Sequence, residues 1–189
     1  MQLFEETGAY LRGHFRLTSG LHSNEYLQCA KVLAYPAYAE RLGRELAGRL
    51  REIAPDSVDV VLAPAMGGLI IGHEVARAFG VPFLFTERDT ATGGMVLRRG
   101  FEVKSGQKAL VIEDVVTTGG SSKEVVDVVR AAGGTVLAAG SIIDRSNGRA
   151  DVGAPRVALQ QLDVRTYDPE ACPLCLKGIP VVKPGSRKS

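Results

Sequence analysis

From residue 58 onward, short apolar runs alternate with helical segments, and glycine or proline separates one from the next. Val58–Ala63 reads as a strand, Gly68–Phe79 as a helix and Pro82–Phe85 as a strand. Ala109–Ile112 follows as a strand, Ser121–Ala132 as a helix and Thr135–Ile143 as a strand; a last strand lies near Arg156–Leu162. Ahead of them, Pro36 sits where a helix's first turn tolerates it, and Leu42, Leu46, Leu50 and Ile53 recur at helical spacing as far as Pro55. Strands that alternate with helices over this length predict a parallel sheet covered on both faces, an α/β architecture. Ligands of such sheets gather beyond the carboxyl ends of the strands. Four distinctive segments fall there: Pro64–Gly68, Thr86–Asp89, the stretch from Glu113 onward, and Asp144-Arg145.

The third of these carries the most chemistry. The apolar run Ala109–Ile112 ends in two adjacent carboxylates, Glu113 and Asp114. Val115 and Val116 follow, then the small-residue turn Thr117-Thr118-Gly119-Gly120-Ser121, then a helix with Val125, Val126, Val128 and Val129 on its apolar face. Two glycines let the backbone curl so that several N–H groups converge, and the mouth of a helix favours an anion. The dipole adds only about 0.3–1 kcal/mol, so most of the grip on a phosphate comes from charge-assisted hydrogen bonds. A plain helix cap also uses Ser or Thr. It has no use for an acidic pair just upstream, whose charge opposes a phosphate unless the pair binds something else. Ribose hydroxyls and a hydrated metal ion are the partners that carboxylates suit. Gly-Lys-Ser and Gly-Lys-Thr are absent, as is Gly-x-Gly-x-x-Gly after any expected strand, which argues against nucleoside triphosphates and dinucleotides.

Composition narrows the remainder. A length of 189 residues with 45% hydrophobic and 23% charged residues suits one soluble domain. A formal charge of +2 gives no reason to expect nucleic acid or a membrane as partner. The acidic start Met1–Glu6 is unlike a secretory signal, and Val60–Gly72 is too short and too rich in Gly and Pro to span a bilayer. Three cysteines fit a reducing cytoplasm better than a disulfide framework.

Residues 111–121, Val-Ile-Glu-Asp-Val-Val-Thr-Thr-Gly-Gly-Ser, resemble the signature of the type I phosphoribosyltransferases, which bind 5-phosphoribosyl 1-pyrophosphate (PRPP). That signature is four apolar residues, two acids and a Thr/Gly-rich phosphate turn. Within the family the likeness is to the orotate-specific branch, because Gly13–Ser23 with Tyr26 is similar to the N-terminal segment that hoods the base there. Pro64–Gly68 stands at the family's pyrophosphate loop, and Asp144-Arg145 at its base-contacting arginine. The resemblance covers roughly residues 10–150.

It implies a Rossmann-like parallel sheet flanked by helices, the type I phosphoribosyltransferase fold, with a hood over 1–35, a core over 36–163 and a tail over 164–189. By position, Glu113 and Asp114 would meet the ribose hydroxyls, and Thr117 to Ser121, with Thr118, Gly119 and Gly120 at the centre, would hold the 5-phosphate; Val115 and Val116 join the substrate-binding residues. Thr117 and Arg145 would face orotate, with Ser19 and Gly20 in the hood. Met66 and Gly67, in a loop that often has a non-proline cis bond, would offer N–H groups to pyrophosphate. Where the family places lysines and a histidine in a mobile loop, Glu87–Arg99 has only Arg88, Arg98 and Arg99 as cations, and Arg88, just after a strand, is the expected clamp. The stretch Glu87–Gly100, with Gly93-Gly94, suits a lid. Mg²⁺ held mainly through substrate and water, with no metal site made by the protein alone, and a cytoplasmic homodimer complete the expectation. The implied reaction joins PRPP and orotate into orotidine 5′-monophosphate and pyrophosphate, a step of pyrimidine biosynthesis. A purine phosphoribosyltransferase and a PRPP-sensing regulator without chemistry share the turn and the acids, and stay as alternatives.

The other polar candidates read as structural. Cys172-Pro-Leu-Cys175 has zinc-knuckle spacing but offers two ligands where a structural site needs four, so a buried turn is favoured. Cys29 reads as packing and His73 as a structural helix residue. His14 and His22 are balanced between a contact to the base and a structural hydrogen bond. Arg187 closes a basic end that could reach a phosphate.

Overall fold

The computed structural model describes residues 1–17, 19–55 and 57–184, so Thr18 and Arg187 lie outside the described residues. The chain runs α1 (Gln2–Glu6), β1 (Tyr10–Arg16), β2 (His22–Leu27), α2 (Cys29–Leu33), α3 (Pro36–Ile53), β3 (Val60–Pro64), α4 (Gly68–Phe79), β4 (Phe83–Arg88) and β5 (Met95–Leu97). It continues through β6 (Lys108–Val116), α5 (Gly120–Ala131), β7 (Thr135–Asp144), β8 (Arg156–Gln161) and β9 (Thr166–Tyr167), and after a 3₁₀ turn at Pro169–Ala171 ends in α6 (Pro173–Leu176). Two compact units result: residues 35–162, and residues 1–34 together with 163–189.

The larger unit is a six-stranded sheet in the order β5-β4-β3-β6-β7-β8. Its strands are parallel except β5, which returns antiparallel against β4 at one edge. Successive side chains of a strand point to opposite faces, and here both faces are apolar. Val60 and Leu62 of β3 and Ala109 and Val111 of β6 turn toward Val125, Val126 and Val129 of α5. On the opposite face, α3 packs on α4, β7 and β8, and α4 packs on β3 and β6. Gly43 of α3 and Glu74 of α4 meet so closely that a Cβ at residue 43 would lie 2.5 Å from the Glu74 Cβ. Leu46 and Leu50 of α3 are fully buried, as are Ile71 and Val75 of α4. At about 25 cal/mol per Å² of apolar surface, each such side chain contributes roughly 1.5–3 kcal/mol.

Several elements run past their expected ends. The sheet's central strand continues through the acidic pair: Val115 and Val116 of β6 still pair with Ile143 and Asp144 of β7. Glu113 and Asp114 are therefore strand residues, not the residues that end a strand. Backbone pairing on both sides outweighs the low strand preference of carboxylates. Glu87 and Arg88, expected in a polar loop, complete β4, and β5 folds back on them to make a hairpin. Its turn is fastened by the Asp89 side chain, which accepts hydrogen bonds from the N–H groups of Ala91 at 2.7 Å and Thr92 at 3.2 Å. Asp at a turn competes for nearby amides in this way, and a polar composition alone hid the strand.

In the smaller unit, β1, β2 and β9 form an antiparallel sheet in that order, so residues from the two ends of the chain share one sheet. Phe4, Ala9, Phe15, Leu27, Cys29, Val32, Leu33 and Cys172 are buried apolar side chains among its described residues. Among the described residues no helix is long and apolar enough to cross a membrane.

Candidate functional site

The strand order sets the place of the site. From β3 the chain moves outward to β4, whereas from β6 it moves the opposite way to β7 and β8, so the sheet changes direction between β3 and β6. Pairing of β3 with β6 ends at Leu62 opposite Val111, while pairing of β6 with β7 continues to Val116 opposite Asp144. A notch opens between the strand tips, with residues 65–67 on one side and Glu113 and Asp114 on the other. A Cβ on Gly67 would lie 2.5 Å from Asp114 Oδ1, so the carboxylate rests against bare backbone. The Ala65–Met66 peptide bond is cis, and Met66 is largely exposed. Sequence reading singles out Gly67 for a pyrophosphate; the approach of Asp114 is a second reason for glycine there, visible only in the fold.

Both carboxylates are half-buried. Burial pushes Glu113 up to about 7; a hydrogen bond donated by Ser122 Oγ opposes that shift, and the Asp114 charge adds to it. Burial raises Asp114 as well, against a hydrogen bond from the Val115 N–H, 2.9 Å long. Two acids are thus held where ionisation costs free energy. Ser122 escapes sequence reading, which stops the turn at Ser121. It lies one residue further along the first turn of α5, and its buried hydroxyl points back to β6.

The turn follows directly. Gly119 caps α5 with φ +85°, a left-handed conformation that side chains disfavour, and a Cβ there would stand 3.0 Å from Val152 Cγ1. Its carbonyl accepts the N–H of Lys123 at 2.8 Å and starts the helix. The amides of the first turn have no partner within the helix and face outward from its mouth. Thr117 and Thr118 are exposed, Ser121 is half-buried, and Val115 and Val116 form the strand tip.

The neighbouring strands bring two arginines to the same end of the sheet. Arg145 follows β7, and its N–H donates to the Val116 carbonyl at 2.8 Å. Arg88 ends β4 and donates from Nη1 to Glu124 Oε2 of α5 at 2.7 Å and to the Gly93 carbonyl at 2.6 Å. Arg99 makes a two-point contact with Glu87, 2.9 Å for each hydrogen bond, and Arg98 is exposed. Asp144 proves structural: fully buried, it accepts from Arg156 Nη1 at 2.7 Å and from both the N–H and the hydroxyl of Ser146. Burial alone would raise its pKa, but those hydrogen bonds prevail and hold it below the usual carboxylate range. Ser19 and Gly20 lie in the β1–β2 turn of the smaller unit, where Gly20 has φ +87°.

The model of the phosphoribosyl transferase domain matches residues 31–169. An orotate phosphoribosyltransferase of Pelotomaculum thermopropionicum is 57% identical over 186 residues, 98% of this chain and 95% of that protein. One from Desulforamulus reducens is 53% identical over 188 residues, 100% of this chain and 96% of the relative. Among solved structures, orotate phosphoribosyltransferase from Aeropyrum pernix superposes with a TM-score of 0.69 at 27% identity, over 85% of this chain and 92% of that one.

Proposed function

The chain belongs to the phosphoribosyltransferase family, and we propose that it transfers the phosphoribosyl group of PRPP to a ring nitrogen of orotate, as its full-length relatives are named for doing. The observation that carries this reading is the notch itself: two acids with raised pKa values beside bare backbone, one turn away from a glycine-capped helix mouth.

The N–H groups and hydroxyls of residues 117–121 hold the 5-phosphate, and Glu113 and Asp114 accept from the ribose hydroxyls. The Met66 and Gly67 amides face the pyrophosphate. Arg145 pairs with the carboxylate of orotate, where its planar fork matches two oxygens. The ring nitrogen forms its bond to the anomeric carbon while the bond to pyrophosphate breaks; the leaving group takes that electron pair, and the proton of the ring nitrogen passes to water or to a pyrophosphate oxygen. Positive charge that builds on the sugar lies near the acids, and the negative charge is met by amides and by Arg88. Arg88 reaches the pyrophosphate by giving up Glu124. Fixing two substrates together is worth as much as ~7–11 kcal/mol of barrier.

The donor set fits Mg²⁺, because carboxylate oxygens are the hard ligands that ion takes. Glu113 and Asp114 would hold it through substrate and water, and once bound it neutralises the pyrophosphate. The β4–β5 hairpin serves as the cover that excludes water, and a second copy of the chain, in the cytoplasm, completes the assembly. Mixing the protein with PRPP, Mg²⁺ and a panel of bases, then following pyrophosphate release, tests the assignment. Release with orotate alone supports it. Release with purines alone, or PRPP binding without turnover, overturns it.

A further inference from the structure

The smaller unit gathers four residues that sequence reading kept apart. The Nε2 of His14, Nδ1 of His22 and the sulfurs of Cys172 and Cys175 all lie within 4.8 Å of one another. We propose that these four side chains bind a structural Zn²⁺ ion that clasps the C-terminal segment to the β1–β2 hairpin.

The local structure explains how the four meet. The pairing of β1 with β2 shifts register between Arg12 and Phe15, and the imidazoles of His14 and His22 meet at that irregularity, with their nitrogens 2.9 Å apart. Antiparallel pairing of β9 with β2 brings the C-terminal segment back to this hairpin. Cys172 opens α6 as its N-cap, and Cys175 comes one helical turn later, so both thiols point the same way. His14, His22 and Cys172 are buried, and Cys175 is exposed.

The nitrogen-to-sulfur distances and the donor chemistry match a tetrahedral site, and the two imidazole nitrogens stand about 0.4 Å closer than that geometry sets. Zn–N bonds of about 2.0–2.1 Å and Zn–S bonds of about 2.3 Å place the ligand atoms of a tetrahedron about 3.3–3.8 Å apart. Here Cys172 Sγ and Cys175 Sγ lie 3.5 and 3.7 Å from His14 Nε2, Cys175 Sγ lies 3.3 Å from His22 Nδ1, and the two imidazole nitrogens are 2.9 Å apart. The other nitrogen of His14 is 2.7 Å from the Ile179 carbonyl. A carbonyl only accepts, so Nδ1 carries the proton and Nε2 presents its lone pair to the cluster. Zinc-bound histidines are oriented by such a contact. Four protein ligands leave no open position, so the site is structural and not catalytic.

The need is also plain. The unit is built from two short segments, and its few buried apolar side chains make a core smaller than an independent fold of that size usually requires. His14 and Cys175 are 161 residues apart in sequence, so a shared ion closes a very long loop.

The test uses the tag-free full chain, purified under reducing conditions from zinc-supplied cells. Elemental analysis should find one zinc per chain, and Cys172→Ser/Cys175→Ser should lose it. Replacement by Co²⁺ should give the intense visible bands of a tetrahedral thiolate site. Stripping the wild-type protein with a strong chelator should lower its melting temperature, and added Zn²⁺ should restore it; this arm stands even if the double variant fails to fold. Wild-type protein without zinc that takes up neither Zn²⁺ nor Co²⁺ would overturn the proposal, and so would zinc retained by the double variant. A Cys172–Cys175 disulfide found by mass spectrometry in the freshly isolated chain would overturn it too.

Discussion

The acidic notch of the larger unit and the Cys/His cluster of the smaller one both gather polar side chains away from water, but the chain assembles them in opposite ways. Glu113, Asp114, the phosphate turn and Ser122 fall within ten consecutive residues, and one strand, one turn and one helix position them. His14, His22, Cys172 and Cys175 come from the two ends of the chain, and a three-stranded sheet must form before they meet. The notch stores a conflict, since its acids resist ionisation until ligands arrive. The cluster supplies donors that already match one ion. A catalytic site of the first kind is expected to lower stability, and a staple of the second kind to raise it.

The comparison breaks most sharply on Asp114→Asn. Turnover should fall on the order of 10²-fold or more, as when one preorganised electrostatic group is lost, while the melting temperature stays the same or rises. Steady-state rates beside thermal melts check this, and near-wild-type turnover would remove Asp114 from the mechanism. Cys172→Ser/Cys175→Ser should do the reverse. If the staple is worth about 3 kcal/mol, melting falls by roughly 6–12 °C in a chain of this length, while turnover well below the transition persists.

Glu113 gives the next effect. Its folded pKa of about 7 lies above the usual carboxylate value, so the stability it lends is full below about pH 4.5 and is lost as pH rises through about 7. Denaturant melts of the unliganded protein should show a decline of at most about 3 kcal/mol across that window, and Glu113→Gln should abolish that contribution. A decline unchanged in the variant would assign it to another group. Ser122→Ala is the smallest change. It removes the hydroxyl that favours the ionised form, so the Glu113 pKa rises and the midpoint of that decline should move to higher pH, with about 1 kcal/mol at stake.

These differences also explain what the sequence revealed. Helix α4 is legible to the residue, because Gly68 opens an apolar 3.6-residue period that Gly80 ends in the left-handed region. The glycine-rich turn at 117–121 is legible as the entry to a helix for the same reason: its signal is local. The strand character of Glu113–Val116 and of Glu87–Arg88 is hidden, because pairing partners, not side-chain preference, decide it. Asp144 stands next to the expected Arg145, and only the fold shows its partner Arg156, twelve positions on. The cysteine pair offers two ligands at knuckle spacing, and nothing local announces His14 and His22, 158 residues before Cys172 and 153 before Cys175 respectively, as the other two.

The most direct measurement is a crystal structure of the protein with Mg²⁺ and PRPP. The account predicts the 5-phosphate within hydrogen-bonding distance of the amides of residues 117–121, with the ribose hydroxyls beside Glu113 and Asp114. A phosphoribosyl group bound elsewhere, with that helix mouth filled only by solvent, would contradict it.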